Sequence, residues 1–270
     1  MNQSIRLATA KYRAITATNF QNQLAYVWDA VGRALFIILI MFIFVQLWTV
    51  VYESQGAAEI AGLTLSATIW YFLFAEMIEL GKFRHDQRIS EEVKDGSIAY
   101  TLVRPYNYLT YHFFNGLGET LIRMALVFLL GLPVVLFYAG MPDFELRHLP
   151  AVMLVLSLAL VLDFAMASSI GLLAFITEDT ASFRLIYQKL IFILGGLLIP
   201  LDFLPERLQM VARLLPFSLT TYAPAKLFVA FDWTQFLQIL AAQVIWSILL
   251  GSWMALQYHW AVRRLSVNGG

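Results

Sequence analysis

Residues 81–108, GKFRHDQRISEEVKDGSIAYTLVRPYNY, form a long polar insert between apolar segments, and the reading of this stretch decides the fold. Lys82, Arg84, Asp86, Arg88, Glu91, Glu92, Lys94 and Asp95 crowd its first half, whereas the half from Gly96 onward carries only Arg104. Charge at that density cannot lie in hydrocarbon, where each ionised side chain is expensive to insert. Ser90 is a good N-cap, Glu91 and Glu92 fall in the first turn beside the positive helix end, and Gly96 supplies the stop. The pattern predicts a helix of about two turns outside the bilayer. Extended chain should follow into Arg104-Pro105, because a residue before proline avoids the helical region. A plain solvated loop is the competing reading, and the rest of the chain weighs between the two.

On both sides of the insert the chain is apolar. Of 270 residues, 60% are hydrophobic, 15% aromatic and 13% charged, against about a quarter charged in a soluble domain. The composition is that of an integral membrane protein. A formal net charge of zero offers nothing to a nucleic-acid partner. There is no cysteine, which excludes disulfides and thiolate metal sites. The N-terminus mixes Arg6, Lys11 and Arg13 with polar residues and has no early apolar run, so it is not read as a signal peptide.

Ile5, Ala8, Tyr12 and Ile15 recur at helical spacing opposite Arg6 and Arg13, which predicts an amphipathic helix in the membrane interface within residues 1–33. Asp29 and Arg33 form an i,i+4 pair before the first apolar run. Six runs are expected to span: 34–51, 60–80, 109–138, 150–176, 189–204 and 235–258. The fifth is barely long enough and is broken at Pro200. After it, Leu208, Val211, Ala212 and Leu215 share a face of a short helix opened by Pro205 and stopped by Pro216. Residues 201–231 therefore read as a re-entrant outer segment. The expectation is one all-α transmembrane domain over residues 1–270, with no internal repeat and no appended soluble domain.

Lysine and arginine set its orientation. With six spans, one side takes Arg6, Lys11, Arg13, Arg33, Lys82, Arg84, Arg88, Lys94, Arg104, Arg184, Lys189, Arg263 and Arg264. The other takes Arg147, Arg207, Arg213 and Lys226, while Arg123 lies within a span. That is thirteen against four, which places the insert and both termini in the cytoplasm.

No P-loop, glycine-rich dinucleotide fingerprint or HExxH is present, so nothing marks nucleotide hydrolysis or metal binding by this chain itself. His85, His112, His148 and His259 fall in four separate segments, none at ligand spacing from another. Arg123 and Asp163 are the formal charges deepest in the apolar runs and should face the bundle interior, paired with each other or with another group, or line a hydrated cavity. Glu119, four residues before Arg123, competes for it.

Two stretches now carry a resemblance. EEVKDGSIAYTLVRPYNYLTY, residues 91–111, with its E-x-x-x-G and L-x-R-P pattern, and GGLLIPLDFLPERLQMVARLLPFSLTTYAPAKL, residues 195–227, lie on opposite sides of the six-span arrangement. Together with the span order they resemble the permease subunit of the ABC type-2 exporter family. The resemblance implies a permease of the bacterial inner membrane that works as a dimer, identical or related. It also implies separate ABC ATPase subunits on the cytoplasmic face, which hold the ATP and magnesium; this chain holds no cofactor. Residues 81–108 would contain the coupling segment, with Ser90, Glu91, Glu92, Lys94, Asp95, Gly96, Arg104 and Pro105 meeting the ATPase. Gly195, Gly196, Pro200, Pro205, Leu208, Val211 and Pro216 would form an outer gate. A self-contained ion-coupled transporter or an intramembrane enzyme is the alternative reading.

Overall fold

The computed structural model describes residues 3–177 and 179–268, with side chains placed at all of these except 3–8, 33 and 264–268. The side chains of Ile5, Arg6, Ala8, Arg33 and Arg264, including one half of the expected Asp29–Arg33 pair, lie outside the described residues. Among the described residues the regular structure is helical apart from one two-stranded ribbon.

Helix α1 (Gln3–Ala25) lies along the first half of α7 (Tyr108–Ala139). Tyr12 stacks on Phe114 and the Thr16 hydroxyl donates to the Phe114 carbonyl at 2.8 Å. Gly118 permits the approach: a Cβ there would meet the Thr16 carbonyl oxygen at 2.6 Å. After a break at Tyr26, α2 (Val27–Ala34) leads almost directly into α3 (Phe36–Gln55). Residues 27–33 thus run with the first apolar helix.

The connection to the next helix is more ordered than the expected acidic loop. Strands β1 (Glu59–Ile60) and β2 (Leu63–Thr64) pair antiparallel around Ala61-Gly62, both at positive φ, the backbone that a two-residue hairpin turn requires. The ribbon takes up residues 60–64, so α4 (Leu65–Gly81) starts later than expected, capped by Thr64, whose hydroxyl accepts from the Ala67 N–H at 3.1 Å. From Thr68 to Ile78 every side chain of α4 is buried, and it packs chiefly on α7, α3 and the later α11. This is the centre of the main core.

Beyond α4 come α5 (His85–Lys94), a short α6 (Ile98–Leu102), and α7, capped by Asn107 through the Thr110 N–H. Then follow α8 (Leu149–Leu172), α9 (Ala181–Leu194), α10 (Glu206–Leu214), α11 (Tyr222–Val229) and α12 (Trp233–Asn268), the last lying along α8.

Among the described residues, four segments are long and apolar enough to cross a bilayer: Val27–Gln55, Tyr108–Ala139, Leu146–Phe175 and Trp233–Arg263. Helix α4, with 17 residues, and α9, with 14, fall below the roughly 20 that a perpendicular crossing needs. The expected fifth span, 189–204, is also displaced: its helix begins at Ala181 and ends at Leu194. Much of the apolar surface of the long helices is exposed, as suits a solvent that is itself hydrocarbon.

Candidate functional site

The charged insert folds into a helix, but one longer than its capping signals predict. Helix α5 starts at His85, with Asp86 in its first turn, and Ser90 is mid-helix rather than at the cap. Ser90 is buried and accepts from the Thr180 hydroxyl at 2.8 Å, so its polar atom serves a tertiary contact. Glu91 and Glu92 consequently lie in the later half of the helix. The end falls as expected: Gly96 follows Asp95 at φ +75°, and the Asp95 carboxylate accepts from the Ser97 N–H at 2.8 Å. The chain after it is a helical turn, α6, instead of extended strand, because Ile98 drops into the buried cluster beside Ile89 and Tyr108.

The inner face of α5 is fixed to the bundle. It packs on α8, where a Cβ at Gly171 would meet the Asp86 carbonyl oxygen and the Ile89 Cβ at 2.9 Å. Glu92, buried, receives Arg88 Nε at 3.0 Å, the Tyr108 hydroxyl at 2.9 Å and His112 Nε2 at 3.1 Å. Burial opposes its charge, but the bonds from His112 and Tyr108 and the Arg88 guanidinium outweigh it and hold the carboxyl below its ordinary range. Burial, reinforced by nearby His112, pushes His85 down to about 3. The outer face is polar. Arg88, Glu91, Lys94 and Asp95 are exposed there, with Glu91 bonded to Gln87 and Lys94 paired to Asp179 at 3.2 Å. Arg104 donates to the Tyr106 hydroxyl, and Lys11 of α1 reaches the Pro105 carbonyl.

Next to α5 the structure forms a half-open cavity of about 540 Å³ whose wall includes both deep charges, Arg123 and Asp163. They do not pair. Asp163 accepts from Lys82 Nζ at 3.1 Å and from the Tyr187 hydroxyl at 2.7 Å, while Lys82 also bonds Glu79 at 2.8 Å. Arg123 takes Glu119, one turn away on α7. The wall draws on α2, α3, the end of α4, α7, α8 and α9. Among the described residues no three His, Asp or Glu side chains converge as a metal would need.

At the opposite end of α4 the segment that follows α9 is held by one carboxylate. Asp202 accepts from Arg213 at 3.0 Å, Tyr222 at 2.9 Å and Lys226 at 2.9 Å, and Gln209 bonds the carbonyls of Asp202 and Leu204. This clamp draws α10 and α11 onto the turn at 201–203. Gly196, at φ +76°, lets the chain leave α9: its carbonyl accepts from Tyr71 at 2.7 Å, and a Cβ would meet that hydroxyl at 2.7 Å. Gly195 ends α9, Pro200 precedes the turn, Pro205 precedes α10, and buried Pro216 opens the turn after it. Leu208 and Val211 remain exposed, and α10 buries only Ala212.

No spacing signal marks Tyr187, Tyr108, the Glu92 bond of His112 or the Asp202 clamp. The Lys82–Glu79 pair was legible as an i,i+3 spacing at the end of an apolar run.

A bundle of long apolar helices around a charged helix and a polar cavity defines a multi-pass membrane protein. A family described as ABC-2 family transporter protein matches residues 19–269. That match covers nearly the whole chain, and the chain belongs to the ABC-2 transporter family, a membrane transport component. No curated protein matches it.

Proposed function

We propose that this chain is the permease subunit of an ATP-driven exporter, that it pairs with a second permease, and that α5 is the coupling helix on which a separate ABC ATPase acts. The observation that carries the reading is the two-sidedness of α5. Its inner face is fastened to α7 and α8 through Glu92, Ile89 and the Gly171 contact, while its outer face presents Arg88, Glu91 and Lys94. A short helix built this way can take a push from a soluble partner and pass it to the bundle.

On this reading α5 and both termini are cytoplasmic, as the distribution of lysine and arginine favours. The bilayer is the bacterial inner membrane, and α4 and α9, short for a crossing, complete six spans by local thinning of the bilayer and by the turns that extend them. ATP and magnesium belong to the partner. The segment at 195–216, with Leu208 and Val211 outermost, serves as the outer gate.

The test is a photocrosslinking residue at Glu91, with the soluble P-loop ATPase encoded beside the gene co-expressed. Capture of the ATPase, and loss of its stimulated hydrolysis in Glu91→Lys, is expected. Absence of any crosslink, with hydrolysis unchanged in Glu91→Lys, refutes the assignment. Glu92 is not a clean probe, because its substitution breaks the buried Tyr108–His112–Arg88 network.

A further inference from the structure

We infer that the cavity beside α5 binds an organic anion with an apolar body, within one protomer. This deepens the transport reading by naming a substrate class, and it rests on that reading for the passage that follows binding.

The charge balance of the wall carries the argument. Each carboxylate that lines it already faces a cation: Glu79 and Asp163 share Lys82, and Asp86 lies 3.9 Å from Arg184. The cations are not matched in return. Arg84 and Lys189 line the cavity, and among the described residues neither comes within salt-bridge distance of a carboxylate, Arg84 attracting Asp86 only from farther off. Lys189 only overlies the Phe192 ring, its Nζ 5.7 Å from the centroid. Arg123 commits one nitrogen to Glu119, and a guanidinium has about five N–H donors. Unspent donor capacity on three cations from separate elements is complementary to one anionic group.

Apart from Tyr187 and Gln188, the remainder of the wall is apolar. Ala34, Phe36, Leu80, Val127, Phe192 and Leu197 contribute to it. The volume of about 540 Å³ falls within the range of roughly 300–1,000 Å³ that holds drug-sized ligands. A bare inorganic anion would leave this surface uncovered, and a neutral hydrocarbon would leave the cations unanswered. An amphiphile with one carboxylate, phosphate or sulfonate group satisfies both.

The experiment measures binding of dansyl-undecanoate to the purified permease in phosphatidylcholine nanodiscs, with empty nanodiscs subtracted. It uses neither ATP nor an ATPase, so its failure is separate from failure of the coupling reading. Saturable binding is expected, weakened about tenfold or more in the Arg84→Gln, Lys189→Gln double variant and about equally for the probe's neutral methyl ester. The charge-keeping Arg84→Lys, Lys189→Arg variant should bind like the parent, which separates loss of charge from loss of fold. Ala34→Trp, which fills the cavity, should abolish binding. Equal affinity for acid and ester, or unchanged affinity in the double glutamine variant, overturns the anion. Displacement of the probe by inorganic phosphate as readily as by undecanoate overturns the apolar half.

Discussion

Replacing Lys82 by methionine tests the ion pair that joins α4, α8 and α9. Lys82 and Asp163 have side chains only 9% and 8% exposed, and their charged atoms are 3.1 Å apart. Removing one partner of a buried pair costs about 3–5 kcal/mol, because the other charge is left uncompensated. Here the cost belongs near the low end. Glu79 is 25% exposed and keeps water, and Tyr187 still donates to Asp163. A loss of about 3 kcal/mol converts to a melting temperature lower by about 6–12 °C for a chain of this size. Asp163→Asn retains an acceptor for Tyr187 and leaves Lys82 its bond to Glu79, so its cost should be smaller. The double variant should recover about 2 kcal/mol of the summed losses. Hydrogen-bond partners in a membrane bundle couple by about 0.6 kcal/mol on average and about 1.7 at most, so a value above about 1.7 kcal/mol identifies a charge pair. Thermal unfolding of the four purified proteins in one detergent reads the cycle. Additivity within about 0.5 kcal/mol would refute the pairing. The swapped Arg123→Asp, Asp163→Arg protein should show no rescue, since Arg123 belongs to Glu119.

His85 should make stability fall in mild acid. Its folded value lies below the ordinary 6.5, at about 3, so the contribution of the neutral ring is full above 6.5 and is lost as pH drops toward 3. By about pH 5.5 the parent should have lost about 1.4 kcal/mol relative to neutral pH, and His85→Gln should escape that part of the loss; parallel profiles would refute it. Gly171→Leu should lift α5 off α8, uncoupling ATP hydrolysis from transport while the permease still assembles; intact transport would show that this contact is dispensable. A cysteine at Ser54 or Asp143 should react with an impermeant reagent from outside intact cells and one at Glu91 should not, and the opposite pattern inverts the topology. Glu91 serves as the reporter because it is exposed, whereas its neighbour Ser90 is buried. Crosslinks between cysteines at Leu208 or Val211 of two protomers should block transport, and full transport through a complete crosslink would place the gate elsewhere.

Local chemistry made much of this fold readable in advance, and its failures share a cause. Gly96, Pro205 and Pro216 mark real boundaries because each acts through its own backbone: one at positive φ, the others by ending or opening a helix. Ser90 misleads because a hydroxyl is equally suited to capping a helix and to bridging two elements, and only the fold shows Thr180 beside it. The ribbon at 59–64 hides within an apolar run, where composition says hydrophobic and only Ala61-Gly62 hints at a turn. Asp163 was correctly read as needing a partner. Choosing Lys82 over Arg123 required knowing which turn of α8 faces the end of α4, and a tilted helix cannot disclose that through hydropathy. The Asp202 clamp joins residues up to 24 positions apart through side chains with no periodic signature.

Helix α9 connects the two ends of this arrangement, and the way it is held bears on how it can move. It buries only Ile191, so little apolar packing anchors it to the bundle. Its attachments are polar and concentrated near α5: Thr180 to Ser90 at 2.8 Å, Asp179 to Lys94 at 3.2 Å, Arg184 near Asp86 at 3.9 Å, and Tyr187 to Asp163 at 2.7 Å. At its other end, Gly195-Gly196 leads into the segment clamped by Asp202. Interdigitated apolar side chains resist sliding because any shift opens voids, whereas polar contacts open to solvent, such as Lys94 to Asp179, can exchange partners at small cost. If an ATPase displaces α5, the first element to follow is therefore α9, a rod of about 21 Å that is stiff along its axis and weakly held along its sides. On the proposed reading, Ser90 would act on coupling from within the permease, through its bond from Thr180, while Glu91 would act from the face turned toward the ATPase.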